Sequence, residues 1–105
     1  MRRSFLEGRI VEIDTPRTIA DGQQTTSPGP KTFAVIQERV DDILTVADDA
    51  VIAAMSHVWE RAKLVSEPSA AVAVAVVLEH RSEFAGRRVG IILSGGNVDL
   101  DRLPW

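Results

Sequence analysis

The sequence predicts an α/β fold, a partial, open, twisted sheet covered by helices. Three observations carry this expectation. Residues 89–93, VGIIL, are apolar without alternation, which marks a strand covered on both faces. Residues 49–64 place Val51, Ile52, Met55, Val58, Trp59 and Ala62 in one stripe at helical spacing. Residues 68–80 are alanine-rich, open on a proline and hold no polar side chain between Ser69 and Glu79. A helix of that kind is apolar all round and needs cover on every side.

The elements follow in order. Residues 1–14 read as a helix end, a turn at Gly8, and an extended piece through Ile10, Val11 and Ile13. Asp21-Gly22 is a turn dipeptide within TIADG. Residues 22–30, GQQTTSPGP, are a loop with two proline stops. Residues 31–40 are helical, with Phe33, Val35, Ile36 and Val40 apolar, and Asp41-Asp42 ends them. ILTV at 43–46 suits a short strand. For the helix over 49–64, Asp48 is the expected N-cap, with Asp49 favoured by the dipole in the first turn. The next segment alternates Ala and Val as a strand would, but its length, its alanine content and Pro68 at the first position, with Glu67 on the cap side, read as a helix. His80 and Arg81 suit its C-terminal end.

A chain of 105 residues fits one small domain. A net charge of −3 argues against a nucleic-acid surface, and with aromatics at 5% and no tyrosine there is no stacking platform. The absence of cysteine excludes a disulfide framework and a thiolate metal site, and points to a reducing, cytoplasmic setting. The longest apolar run, residues 70–78, falls far short of the roughly 20 needed to span a bilayer, so no membrane partner is expected. Glu7, Gly8 and Arg9 interrupt the N-terminus, which does not read as a signal peptide.

Two or three strands are too few to cover both a buried strand and an all-round apolar helix, because a small chain buries a smaller share of its surface. The chain therefore reads as one partial domain: a piece of a larger sheet, or a subunit completed by a partner.

Ser94-Gly95-Gly96-Asn97 follows the buried strand. Ligands bind at the carboxyl ends of strands in open α/β sheets, and glycines admit backbone amides to an anion. On pattern alone, a tight turn is the better reading of so short a stretch. No G-x-G-x-x-G, no Gly-Lys-Ser/Thr loop and no G-x-S-x-G is present. His57 and Glu60 share a helix face but lack further ligands, so no metal site is expected. Asp41-Asp42 and Asp48-Asp49 fit capping and turn chemistry better than a carboxylate cluster.

Four stretches taken together say more: PRTIADG at 16–22, VDDILTV at 40–46, WERAKLVSEPSAAVA at 59–73 and GRRVGIILSGGNVDLDRLPW at 86–105. In this order and spacing they resemble the C-terminal part of the pyridoxal-phosphate-dependent threonine/serine dehydratases (ammonia-lyases) and serine racemases. The resemblance covers nearly the whole chain. It implies the C-terminal part of the large domain of a tryptophan synthase beta-like (fold type II) enzyme. It also implies pyridoxal 5'-phosphate as cofactor and a small amino acid as substrate, with L-threonine or L-serine losing water and then ammonia to give a 2-oxo acid. By the same resemblance Ser94 hydrogen-bonds the pyridine nitrogen, Gly95, Gly96 and Asn97 complete the loop beside it, Glu67 lies near the ring, and the backbone at Gly22 approaches the other side. A neutral hydroxyl does not force that nitrogen to be protonated, so charge at the substrate α-carbon is less delocalised and loss of the β-hydroxyl competes well.

The chain departs from the family at several points. Ala70 stands where glycine usually follows EPS, so a methyl could crowd a tight site. Ala47 stands where a serine cap is usual, a loss of about 1 kcal/mol unless Asp48 takes over. The only lysines, Lys31 and Lys63, match no Schiff-base position. The phosphate loop, the substrate-carboxylate loop and the acidic metal cluster belong to upstream regions of the family. The segment alone is therefore expected to be inactive. The other expectation open at this stage is a non-catalytic interaction or self-association module derived from the fold.

Overall fold

The computed structural model describes residues 1–105. Five helices form: α1 (Arg2–Glu7), α2 (Pro30–Arg39), α3 (Asp48–His57), α4 (Pro68–Glu79) and α5 (Arg81–Phe84). Short 3₁₀ turns lie at Asp21–Gln23 and Leu100–Arg102.

The core is the α3–α4 pair. Val51, Ala54 and Met55 of α3 meet Ala71 and Ala75 of α4, all fully or almost fully buried. Alanines let the two helices approach closely, and Met55, the largest fully buried side chain, fills the gap between them. Ile19, Val46, Val98 and Leu103 close over this cluster from four separate loop segments. A smaller unit forms at the N-terminus. Gly8 ends α1 in the left-handed conformation (φ 65°), and the Val11 amide returns to Ser4 Oγ at 3.0 Å. Phe33 of α2 is buried and Gln37 Nε2 donates to the Phe5 carbonyl at 3.0 Å, so α2 lies against α1.

The helix expected over 49–64 is α-helical from Asp48 to His57 and widens into a π turn over Val58–Ala62. It stops at Lys63, whose φ of 57° is left-handed. Asp48 is not its cap: Ala47 holds that position with no side-chain bond. The Asp48 carboxylate instead accepts from Thr18 Oγ1 and, at 3.1 Å, from the Ile19 amide, fixing TIADG to the start of α3. Residues 68–80 follow expectation, with Pro68 opening α4 and Glu67 at its N-cap. Ala70 is only 2% exposed, so its methyl is accommodated in the core.

The sheet does not form. No strand is present over 43–46 or 89–93, or elsewhere in the chain. A ladder needs a partner, and no residue from 88 to 94 makes a backbone–backbone hydrogen bond. Val89 and Ile91 are exposed, and Ile92 is 84% exposed. Around α4, Ala73 is exposed and Val72, Val74, Val76, Val77 and Leu78 are half-buried, so its cover is incomplete. The accessible surface of 7593 Å² is roughly a third above the ~5,800 Å² of a closed monomer of 11.4 kDa. The radius of gyration, 14.6 Å, likewise exceeds the ~13 Å of a compact domain this long.

Candidate functional site

The motif residues converge on the first turn of α4. Two loops meet there, one from each side.

Loop 94–97 lies along residues 65–67. The Glu67 amide donates to the Gly95 carbonyl at 3.1 Å, and the Asn97 amide donates to Glu67 Oε2 at 2.8 Å. Glu67 thus holds both sides of the loop's centre. The glycines are needed for this approach. A Cβ on Gly95 would overlap Glu67 Oε1 and lie 2.6 Å from its Cδ, and one on Gly96 would lie 2.8 Å from the Val65 carbonyl oxygen. Glu67 occupies the N-cap of α4 yet makes no side-chain bond to its own helix. Its carbonyl accepts from the Ala70 and Ala71 amides at 3.1 and 3.0 Å, closing the first turn, while its carboxylate serves the loop.

On the other side, TIADG reaches Ser69 in the first turn of α4. The Gly22 amide donates to Ser69 Oγ at 3.0 Å, and Ser69 Oγ donates to Asp21 Oδ1 at 3.3 Å. A Cβ on Gly22 would lie 3.0 Å from Ser69 Oγ. Sequence reasoning does not single out Ser69. Its place in EPS, beside the other loop motif, is the available signal.

Glu67, Gly95, Gly96, Asn97, Gly22 and Ser69 therefore form one wall, with Ser94 at its rim. Ser94 is exposed and its hydroxyl has no partner within the chain. The loop is pinned from Gly95 onward, and the Ser94 hydroxyl can act as donor or acceptor toward a bound group. A neutral hydroxyl there fits an unprotonated pyridine nitrogen. The wall holds no lysine: Lys31 lies on α2 and Lys63 follows the π turn. The residues present thus fit the ring end of the cofactor and not its covalent attachment. His57 and Glu60 gather no further ligand, and no group of three metal-ligating side chains exists in the chain. No helix is long and apolar enough to cross a membrane.

The chain has a known class. The profile for pyridoxal-phosphate dependent enzymes matches residues 1–95, and the chain belongs to that family. Among curated relatives it is 52% identical over 101 residues to an L-threo-3-hydroxyaspartate ammonia-lyase of Saccharomyces cerevisiae, covering 96% of this chain and 31% of that enzyme. It is 46% identical to a serine racemase of Schizosaccharomyces pombe, again covering 96% of this chain and 31% of the relative. Among solved structures, a threonine deaminase from T.th. superposes with a TM-score of 0.89 at 43% identity, covering 93% of this chain and 33% of that one. The chain thus spans about a third of the length of the proteins it matches.

Proposed function

We propose that this chain is the C-terminal segment of the large domain of a pyridoxal-phosphate-dependent ammonia-lyase acting on L-threonine or L-serine, and that it is inactive alone. The observation that carries the reading is the pinned 94–97 loop, which leaves the Ser94 hydroxyl free beside the first turn of α4. In the complete enzyme Ser94 holds the pyridine nitrogen. Gly95, Gly96 and Asn97 give the loop its shape, Glu67 fixes that shape from below, and Gly22 and Ser69 tie in the facing loop. When bound, the cofactor supplies the electron sink for charge at the substrate α-carbon. This chain's part is to orient the ring while leaving its nitrogen neutral. The lysine comes from outside these residues. The setting is cytoplasmic, and the assembly is a homo-oligomer or a complex with a complementing N-terminal part.

The bare segment 88–94 favours a second reading, an interaction or self-association module. An unpaired run with exposed Val89, Ile91 and Ile92 is a template for another chain.

One set of measurements separates the two. The purified chain is given pyridoxal phosphate with L-serine or L-threonine, alone and then grafted in place of the aligned third of the T.th. threonine deaminase. The first reading expects 2-oxo acid only from the graft. Turnover by the isolated chain overturns its inactivity. A graft that folds but binds no cofactor, together with an isolated chain that forms a stable oligomer in sedimentation, favours the module.

A further inference from the structure

Loop 94–97 is held at more points than Glu67. The π turn widens α3 at Val58–Ala62, and the chain then reverses at Lys63 in a left-handed conformation. Here the turn carries Trp59, whose Nε1 donates to the Ser66 carbonyl at 3.0 Å, one residue before Glu67. The Ser66 side chain is fully buried and its hydroxyl has no partner, so this segment keeps its place at the expense of an unmade hydrogen bond.

The second tether comes from the far end of the loop. Val98 packs against the core, the 3₁₀ turn Leu100–Arg102 reverses the chain, and Leu103 packs back on the same cluster. Trp105 then meets Trp59 edge to face, with ring centroids 5.4 Å apart and planes at 83°. The contacts close a ring: Trp59 to Ser66, Ser66 to Glu67, Glu67 to Gly95 and Asn97, and onward through Val98 to Trp105 and back to Trp59.

We infer that Trp59 and Trp105 are positioning residues for the 94–97 loop: Trp59 sets the height of Glu67 through the Ser66 carbonyl, and Trp105 locks Trp59. That the loop faces a cofactor rests on the function proposed above; the positioning itself is a property of this chain. An edge-to-face pair contributes beyond its buried area, and a hydrogen bond to a carbonyl fixes direction.

The test is amide hydrogen exchange in the 105-residue chain without cofactor. Trp59→Phe keeps an aromatic ring beside Trp105 but removes the N–H donor. It is expected to lower protection of the Glu67 and Asn97 amides about fivefold, the equivalent of one ordinary hydrogen bond, with the Ala75 amide inside α4 unchanged. Trp105→Ala is expected to do the same, and Trp105→Phe, which keeps an aromatic edge, to restore most of the protection. Wild-type protection at Glu67 and Asn97 in Trp59→Phe overturns the inference. So does an equal response to Trp105→Ala and Trp105→Phe, or a loss shared equally by Ala75 in all three variants. The experiment contains no pyridoxal phosphate. A graft that fails to bind cofactor while these exchange responses persist sinks the functional reading and leaves the positioning standing.

Discussion

The Asn97 amide donates to Glu67 Oε2 at 2.8 Å, across 30 positions of sequence. With the Glu67 amide on the Gly95 carbonyl, this makes one residue, through backbone and side chain together, the anchor of the loop that begins at Ser94. Glu67 thus binds its own chain through both its backbone amide and its carboxylate.

The two central glycines are expected to fail differently. A methyl on Gly96 meets backbone, the Val65 carbonyl, which cannot swing aside. Gly96→Ala should therefore cost about 1–3 kcal/mol in chemical denaturation. A methyl on Gly95 meets the end of the Glu67 side chain, which can move. Gly95→Ala should cost less stability than Gly96→Ala but expose the Asn97 amide to exchange. Equal denaturation midpoints with Asn97 still protected would contradict this geometry.

Ser69→Ala removes one of the two acceptors of the Gly22 amide, leaving Asp21 Oδ1 at 2.7 Å, and removes the donor to Asp21. The expected loss is about 1 kcal/mol, because the site is only half-buried. The Gly22 amide resonance should shift while those of α2 do not. An unmoved Gly22 resonance counts against the bridge between TIADG and α4.

Met55→Ala should be the costliest of these single changes, about 2–5 kcal/mol, since Met55 is fully buried at the centre of the α3–α4 core. Urea denaturation followed by far-ultraviolet circular dichroism measures it. A loss below that of Gly96→Ala would mean that the helix pair is not the stabilising unit.

Glu7 gives the pH prediction. Its hydrogen bond from Arg3, at 2.8 Å, holds its carboxyl below the ordinary value, with the charges of Arg9 and Arg3 adding to the effect against desolvation. The folded value lies below the unfolded one, so ionised Glu7 stabilises α1 above the unfolded value, and that contribution disappears as pH falls through the folded one. Carboxyl titration by NMR should show the midpoint rising in Arg3→Gln. No rise would assign the shift to another cause.

Much of the helical framework is legible in the sequence. Pro68 tips an Ala/Val run that alternates like a strand toward α4, Gly8 ends α1, and the stripe through Val51, Ile52 and Met55 lays down α3. The strands fail for a physical reason. VGIIL encodes burial on two faces, and burial is supplied by neighbours rather than by the segment itself. Ile92 therefore stands bare where the pattern predicts a sheet interior. Asp48 illustrates a different limit: a carboxylate at a helix start suits a cap, but Thr18 and the Ile19 amide, some 30 residues earlier, claim it. The π turn leaves no periodic mark that separates it from an α-helix, so the Trp59 contact to Ser66 is invisible in the sequence. The site residues come from motifs whose spacing matches a family. Their convergence on one helix start is tertiary, and only Ser69, inside a quoted motif, lies within reach of sequence reasoning without being picked out by it.

The most direct test of the central claim is cofactor affinity in the grafted enzyme with and without the Ser94 hydroxyl. Residue 94 is exposed and unpartnered, so Ser94→Ala should leave stability within about 0.5 kcal/mol of the parent graft. Spectroscopic titration with pyridoxal phosphate should nevertheless show weaker binding, together with slower 2-oxo acid formation. Unchanged affinity and unchanged turnover in Ser94→Ala would contradict the claim that this loop holds the pyridine nitrogen.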